Sequence, residues 1–90
     1  LISISSSFRN LMAMYYQDEN KYPESTYNFK KLKNKVLNEY GELGDISDVL
    51  ASDSYSADNS SNPKTYKLEL VSSKSNKTYI VTPNGVTTTE

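Results

Sequence analysis

The chain has 90 residues with a formal net charge of −1, and 36% of them are hydrophobic and 23% charged, which indicates one small globular domain with a single core. The near-neutral balance and the pI near 5.4 provide no positive field for nucleic acid or an anionic membrane. The absence of cysteine and histidine removes disulfides, thiolate metal sites and the commonest catalytic base, so we expect neither an enzyme nor a cofactor.

The first predicted element is an amphipathic helix over Leu1–Glu19. Apolar residues recur along it at alternating spacings of three and four, which places them on one side of a helix. These residues are Leu1, Ile4, Phe8, Leu11 and Tyr15, with Met12 and Tyr16 beside them. The opposite side carries Ser6, Arg9, Asn10, Gln17 and Asp18. Because proline lacks an N–H and restricts the residue before it, Pro23 predicts that the helix ends near Glu19 or Asn20.

A second helix is predicted over Tyr27–Tyr40, where apolar residues again repeat at spacings of three and four. Ser25 or Thr26 is expected to cap its start, and Gly41 to follow its end in a left-handed conformation. Its outer side carries lysines, namely Lys30, Lys31, Lys33 and Lys35. Glutamates flank these lysines, so we interpret them as a solvated helix face and not as a site for a polyanion.

Between this helix and the C-terminal strands, the sequence predicts a short helical turn and a loop, which complete the region 24–63. The turn is expected at Asp45–Ala51 with Asp45 as its N-cap. The Ser-, Asp- and Asn-rich composition of Ser52–Pro63 indicates a loop in which Tyr55 is exposed. Oxygen ligands of the kind that calcium prefers are present in this loop, on Asp53, Asp58 and Asn59. They lack a recognisable ligand framework, so we expect no metal to be needed for folding.

Residues 64–90 predict a three-stranded antiparallel meander. Its strands are Thr65–Val71, Thr78–Thr82 and Val86–Thr89. Asn84-Gly85 is typical of a tight hairpin turn whose two central residues both have positive φ. One face of the meander is apolar and needs a cover, which the first helix can supply. The predicted fold is therefore α+β, in one domain over residues 1–90, with an N-terminal helix packed on a C-terminal sheet and the second helix and short turn between them.

The end of the first helix carries a specific pattern. Arg9-Asn10-Leu11 is followed by Tyr15-Tyr16 and then by Asp18-Glu19-Asn20-Lys21-Tyr22-Pro23. This order and spacing resembles the end of the long first helix in type IV pilins and type II secretion pseudopilins, where the helix passes into the globular head. The residues that carry the likeness are Tyr15, Tyr16, Asp18, Asn20, Tyr22 and Pro23. Lys21 follows Asn20 directly, where that family often has glycine first. A pilin head also has its helices first and its sheet last.

The resemblance implies a structural function. The complete protein would carry an apolar half-helix before Leu1, reside in the cytoplasmic or inner membrane through it, and then assemble with copies of itself or related pilins into an extracellular filament. The chain is then a fragment of a longer protein. We expect Leu1, Ile2 and Ile4 to belong to the assembly surface, because they are apolar on more than one side of the helix and one sheet cannot cover them all.

Two other functions stay open at the level of sequence. A pseudopilin of a type II secretion system would share the fold, and a calcium requirement would favour it. An adhesive or DNA-capturing minor pilin would be a binding module, and it would need an exposed aromatic or basic patch. The eight tyrosines fall mostly on the inward side of their elements, so we interpret them as core and boundary residues and not as a stacking surface.

Overall fold

One long helix lies over a four-stranded antiparallel sheet in the computed structural model, which describes residues 2–44, 46 and 48–89. The elements are α1 (Ile2–Glu19), α2 (Phe29–Lys31), a π-helical turn (Leu32–Val36), β1 (Leu50–Asp58), β2 (Thr65–Ser72), β3 (Thr78–Thr82) and β4 (Gly85–Thr89). The strands lie in sequence order, each antiparallel to the next. The predicted α+β class is confirmed, with four strands where three were expected.

α1 ends where the sequence predicts. Its last residue is Glu19, and Asn20 follows in a left-handed conformation with φ of 58°. Asn20 N–H donates to Tyr16 O at 2.8 Å, which satisfies one of the free carbonyls at the helix end. Asparagine tolerates this conformation better than other residues with a Cβ, so it takes the position that glycine often holds after a helix.

The apolar side of α1 packs on the sheet, as predicted. Ile4, Phe8, Leu11 and Met12 are buried there, with Leu68, Leu70 and Val81 completely enclosed beneath the helix and its neighbours. The helix lies over β3 and β4 in particular. Because each large apolar side chain removed from water contributes about 1.5–3 kcal/mol, this layer contributes substantially to the stability of the fold.

The predicted second helix is too long. α2 begins after Asn28, whose side chain accepts the Lys31 N–H at 2.8 Å, so Asn28 is the cap and neither Ser25 nor Thr26. The chain then widens into a π-helical turn in which Leu37 N–H donates to Leu32 O at 2.8 Å. This turn brings two leucines five positions apart into the core together, and both are completely buried. A regular α-helix would place them about 140° apart around its axis.

Gly41 has a packing role and not the predicted role of a helix cap. Residues 37–40 form turns that separate it from the helical segment, which ends at Val36. A Cβ added at Gly41 would lie 3.0 Å from the Leu11 side chain, which is closer than side chains normally approach. Glycine therefore lets this loop lie directly against α1.

The loop predicted at Ser52–Pro63 is wrong over most of its length, because Leu50–Asp58 forms β1. β1 pairs with β2 in a register that sets Tyr55 opposite Leu68. Its inward positions supply only a few apolar contacts, while the outward ones are serines and aspartates, so the composition alone indicates a loop. Of the short turn predicted at Asp45–Ala51, Asp45 and Ser47 lie outside the described residues. Val49 N–H donates to Ile46 O at 3.0 Å, and the strand begins at the next residue.

The three strands predicted at the C-terminus are confirmed to within a residue at each end. Their last turn differs from the expectation. Thr82 pairs with Gly85, so Pro83 and Asn84 are the central residues and not Asn84 and Gly85. Asn84 does not have positive φ, whereas Gly85 does, at 153°. Proline fixes φ at the first central position of such a turn, and this constraint overrides the preference of the Asn-Gly pair.

Candidate functional site

The family-motif residues meet at the C-terminal end of α1, where they form the junction between the helix and the sheet. The ring of Tyr22 lies 4.7 Å from that of Tyr16 on the helix and 4.8 Å from that of Tyr66 on β2. These centroid distances are typical of favourable aromatic pairs. Tyr66 also contacts Tyr55 and Phe8. The motif tyrosines therefore connect the helix end to the aromatic part of the core.

Hydrogen bonds fix the same junction to β1 and the turn after it. Asn59 Nδ2 donates to Tyr22 O, and Tyr22 N–H donates to Asn59 Oδ1, both at 2.9 Å. The Tyr55 hydroxyl donates to Pro23 O at 2.7 Å. Tyr55 was expected to be exposed and is in fact buried. Its side chain lies inward because it belongs to a strand, and its hydroxyl satisfies a carbonyl that would otherwise be buried without a donor.

A second group of motif residues lies on the other side of the helix end. The Tyr40 hydroxyl donates to Asp18 Oδ2 at 2.7 Å, and the rings of Tyr15 and Tyr40 meet edge to face. The hydrogen bond to Asp18 raises the pKa of Tyr40 to about 12, because it stabilises the protonated hydroxyl. Lys64 Nζ donates to Asn20 O at 2.6 Å. Each motif residue thus makes a structural contact where α1 ends and the chain continues into the rest of the domain.

The three calcium candidates are engaged in separate hydrogen bonds. Asp53 Oδ1 accepts Phe29 N–H at 3.3 Å, and Asn59 holds the main chain of Tyr22 as described. Asp58 Oδ1 accepts hydrogen bonds from Ser60 and Ser61, and those from Ser60 lower the pKa of Asp58 most. Within the described part of the chain, no three acidic, histidine or cysteine side chains are grouped so that they could hold a metal ion. Asp58 therefore closes a turn, and Asp53 and Asn59 hold main-chain groups of segments far from them in sequence.

The predicted assembly residues at the start of α1 do not share one environment. Ile2 is 60% exposed, whereas Ile4 is only 9% exposed and belongs to the core. Leu1 lies outside the described residues. The assignment of Ile4 to the assembly surface is therefore wrong, because its position in the three-and-four spacing places it over the sheet. We expect Ile4→Asp to unfold the domain by burying a charge.

The exposed side of α1 has no charged residue from Ile2 to Gln17. We call this surface the uncharged face, and it consists of Ile2, Ser3, Ser6, Ser7, Asn10, Ala13, Met14 and Gln17. Arg9 does not contribute to it, since its guanidinium donates to Thr82 O at 3.2 Å and to Pro83 O at 3.1 Å. Met14 is 45% exposed. Sequence periodicity indicated most of this face but placed Arg9 on it, because a partner 73 positions away leaves no local signal.

Comparisons with protein families, curated proteins and solved structures find no match. The likeness to pilins therefore depends on the motif and on the order of the elements. In the described part of the chain, no helix is both long and apolar enough for a membrane span.

Proposed function

We propose that this chain is the head of a type IV pilin-like protein, a structural subunit that assembles with its own copies or related pilins into a filament at the cell surface. The observation that carries the proposal is the uncharged face of α1. Before assembly, the cytoplasmic or inner membrane would hold the subunit through an apolar segment preceding α1. The head itself performs no chemistry.

A helix face that water covers normally carries charged and polar residues. α2 and the π-helical turn follow this rule, because their exposed positions include Lys30, Lys31 and Lys35. The uncharged face of α1 has polar residues but no charged one, although 23% of the chain is charged. Charged residues are depleted at the centres of protein interfaces, and small residues such as serine and alanine allow two helices to approach closely. The face therefore suits helix-to-helix packing between subunits.

The junction at the end of α1 supports the same function. A filament built through its helices must hold each head at a fixed orientation, or the outer surface could not repeat. Here the Asn59 side chain makes two hydrogen bonds with the main chain of Tyr22, and the Tyr55 hydroxyl donates to Pro23 O. Together with the contact between the rings of Tyr16 and Tyr22, these bonds restrain the few residues that follow the helix. Rigid attachment at this point transmits the position of the helix directly to the head.

The test introduces charge on the uncharged face of the full-length protein. The variant is Ile2→Asp combined with Asn10→Asp, the second of which changes charge with almost no change of shape. Both positions are exposed, so the head should melt within a few degrees of the unmodified protein. Filaments seen by electron microscopy of the producing cells should be lost, because helix packing would bury unpaired carboxylates.

The matched control places the same two carboxylates elsewhere, as Asn38→Asp combined with Ser54→Asp, both at exposed positions that do not belong to α1. This protein should form filaments normally. Persistence of filaments in the Ile2 and Asn10 variant would reject assembly through the uncharged face, and absence of filaments from the unmodified full-length protein would reject the filament function itself.

A further inference from the structure

The first edge of the sheet is covered by the chain itself. Along β1, the Ser25 hydroxyl accepts the Ala57 N–H at 2.8 Å and donates to Ala57 O at 3.2 Å. Asp53 on the same strand accepts Phe29 N–H. The register of β1 is also irregular near its start. Covering segments, charges and irregular pairing are the features by which proteins prevent an edge strand from joining another sheet.

The opposite edge, β4, has none of these features. Gly85–Thr89 contains no charge and no proline, and it pairs with β3 without a break in register. Thr87, Thr88 and Thr89 are exposed. Among the described residues, only β3 hydrogen-bonds to the main chain of Val86–Thr89. This edge is therefore open among the described residues. Since β-branched residues such as these favour strand pairing, it is well suited to a further strand.

The hairpin geometry identifies the open groups. Thr82 and Gly85 flank the two-residue turn, where the facing residues are a hydrogen-bonded pair. Hydrogen-bonded and non-hydrogen-bonded pairs alternate along an antiparallel ladder. Val86 and Thr88 are therefore the residues whose N–H and C=O groups point away from β3. The N–H and C=O groups of Val86 and Thr88 therefore have the spacing that another antiparallel strand requires.

We propose that β4 pairs with β4 of a second copy of this chain, antiparallel and about a two-fold axis. In this register Val86 of one copy exchanges N–H···O=C bonds with Thr88 of the other, and Thr87 faces Thr87 across the axis. The strand fits its own copy because the donors and acceptors at Val86 and Thr88 match in reverse order. No charge opposes a like charge, and threonine pairs across strands are favourable.

This contact goes beyond filament assembly. It uses the sheet edge and not the uncharged face of α1, and a two-fold contact closes with two copies, whereas a filament needs a contact that propagates. The interface is a single short strand on each side, so we expect a weak dimer of the kind formed by small interfaces. The proposal can be tested on the 90-residue chain alone.

The experiment measures the mass of the chain by sedimentation equilibrium from micromolar to millimolar concentration. The unmodified chain should dimerise as its concentration rises. Thr87→Lys and Thr87→Asp should each stay monomeric, because they place like charges directly opposite one another, and an equimolar mixture of the two should recover a heterodimer. Ser54→Lys and Ser54→Asp, at an exposed position of β1, should dimerise as the unmodified chain does.

A second measurement needs no variant. Amide hydrogen exchange at Val86 and Thr88 should slow as the concentration of the unmodified chain rises, while exchange at Thr87 should be unaffected, since its N–H already faces β3. A chain that remains monomeric at millimolar concentration rejects the pairing. A dimer that the Thr87 variants leave intact also rejects it, since the contact then lies on another surface. Neither result bears on the filament test, which uses variants of α1.

Discussion

The hydroxyl of Tyr55 shows how one side chain connects the helix end to the sheet. Its ring is buried in the aromatic core, and its hydroxyl donates to the Pro23 carbonyl oxygen at 2.7 Å. Burial raises the pKa of Tyr55, and burial also raises the pKa of Tyr66. The physical cause is the loss of water around the phenolate, which is the charged form.

These pKa shifts predict a loss of stability in alkali. In the unfolded chain tyrosine ionises near pH 10, whereas the folded chain keeps the protons of Tyr55 and Tyr66 to higher pH. Above pH 10 the unfolded state therefore binds fewer protons, and the free energy of unfolding falls as pH rises. Melting temperatures measured by circular dichroism should be nearly constant from pH 7 to 9 and should decline beyond pH 10.

Tyr55→Phe provides the comparison. At pH 7 its free energy of unfolding should be lower by about 1–3 kcal/mol, because the Pro23 carbonyl is left without its donor. Its melting temperature should also decline less steeply above pH 10. Tyr27→Phe, at an exposed position, should match the unmodified chain in both respects. Parallel declines for Tyr55→Phe and the unmodified chain would show that Tyr55 does not contribute to the alkaline transition.

The two aspartates of β1, Asp53 and Asp58, give a prediction about metal. Asp53 and Asp58 each accept hydrogen bonds from nearby N–H groups, and calcium would have to compete with those bonds for the same oxygens. The melting temperature should therefore be the same with a chelator and with millimolar calcium. An increase of many degrees on adding calcium would contradict this, since a ligand that binds only the folded state stabilises it by mass action, and would favour the secretion pseudopilin.

At the scale of elements, α1 is attached to the hairpin of β3 and β4 by Arg9 as well as by apolar packing. The guanidinium donates to Thr82 O and Pro83 O, and hydrogen bonds from charged donors contribute about 1.5–3 kcal/mol. Arg9→Ala should lower the free energy of unfolding by roughly that amount, measured in urea. Lys67→Ala, which removes only an exposed ion pair with Glu69, should cost less than about 1 kcal/mol. Equal losses in the two variants would show that the Arg9 contacts contribute little.

The elements that could be predicted from sequence are those whose residue pattern is explicit. α1 has a continuous apolar side, and β2 and β3 have β-branched and aromatic runs. β1 could not be predicted because its outward side faces water and its residues are serines and aspartates, so its strand conformation comes from pairing with β2. The break between α2 and the π-helical turn also comes from tertiary packing, since it serves to bury Leu32 and Leu37 together.

The candidate surface was predictable only in part, for a similar reason. Periodicity places Ile2 and Asn10 outside the apolar side of α1, and it places Ile4 on that side. The apolar character of Ile4 was therefore a poor guide to assembly. The contact of Arg9 with the β3–β4 turn joins residues far apart in sequence. From the sequence alone, the exposed side of α1 is polar and includes the charge of Arg9. Only the fold shows that Arg9 turns away from this side.

At the scale of the whole molecule, the described residues share one hydrophobic core, and Phe8 connects its layers. Phe8 is completely buried. Its ring is 6.0 Å from that of Phe29 on α2 and 6.0 Å from that of Tyr66 on β2. One side chain of α1 thus contacts both the helical segment and the sheet, so neither can loosen without the other losing contacts. A domain of this size with one such core should unfold in a single transition.

Phe8→Ala tests whether the helical segment and the sheet unfold together. Removing a buried phenylalanine typically costs about 3–5 kcal/mol, out of a total of about 5–15 kcal/mol for a domain. At roughly 4–8 °C per kcal/mol for a chain of this length, the melting temperature should fall by at least about 12 °C. Far-ultraviolet circular dichroism, which reports α1, and tyrosine fluorescence, which reports the junction and sheet, should shift together. Met14→Ala, on the exposed side of the same helix, should change the melting temperature little. Two separate transitions in Phe8→Ala would show that the helical segment and the sheet are stabilised independently, and that the ring of Phe8 does not couple them.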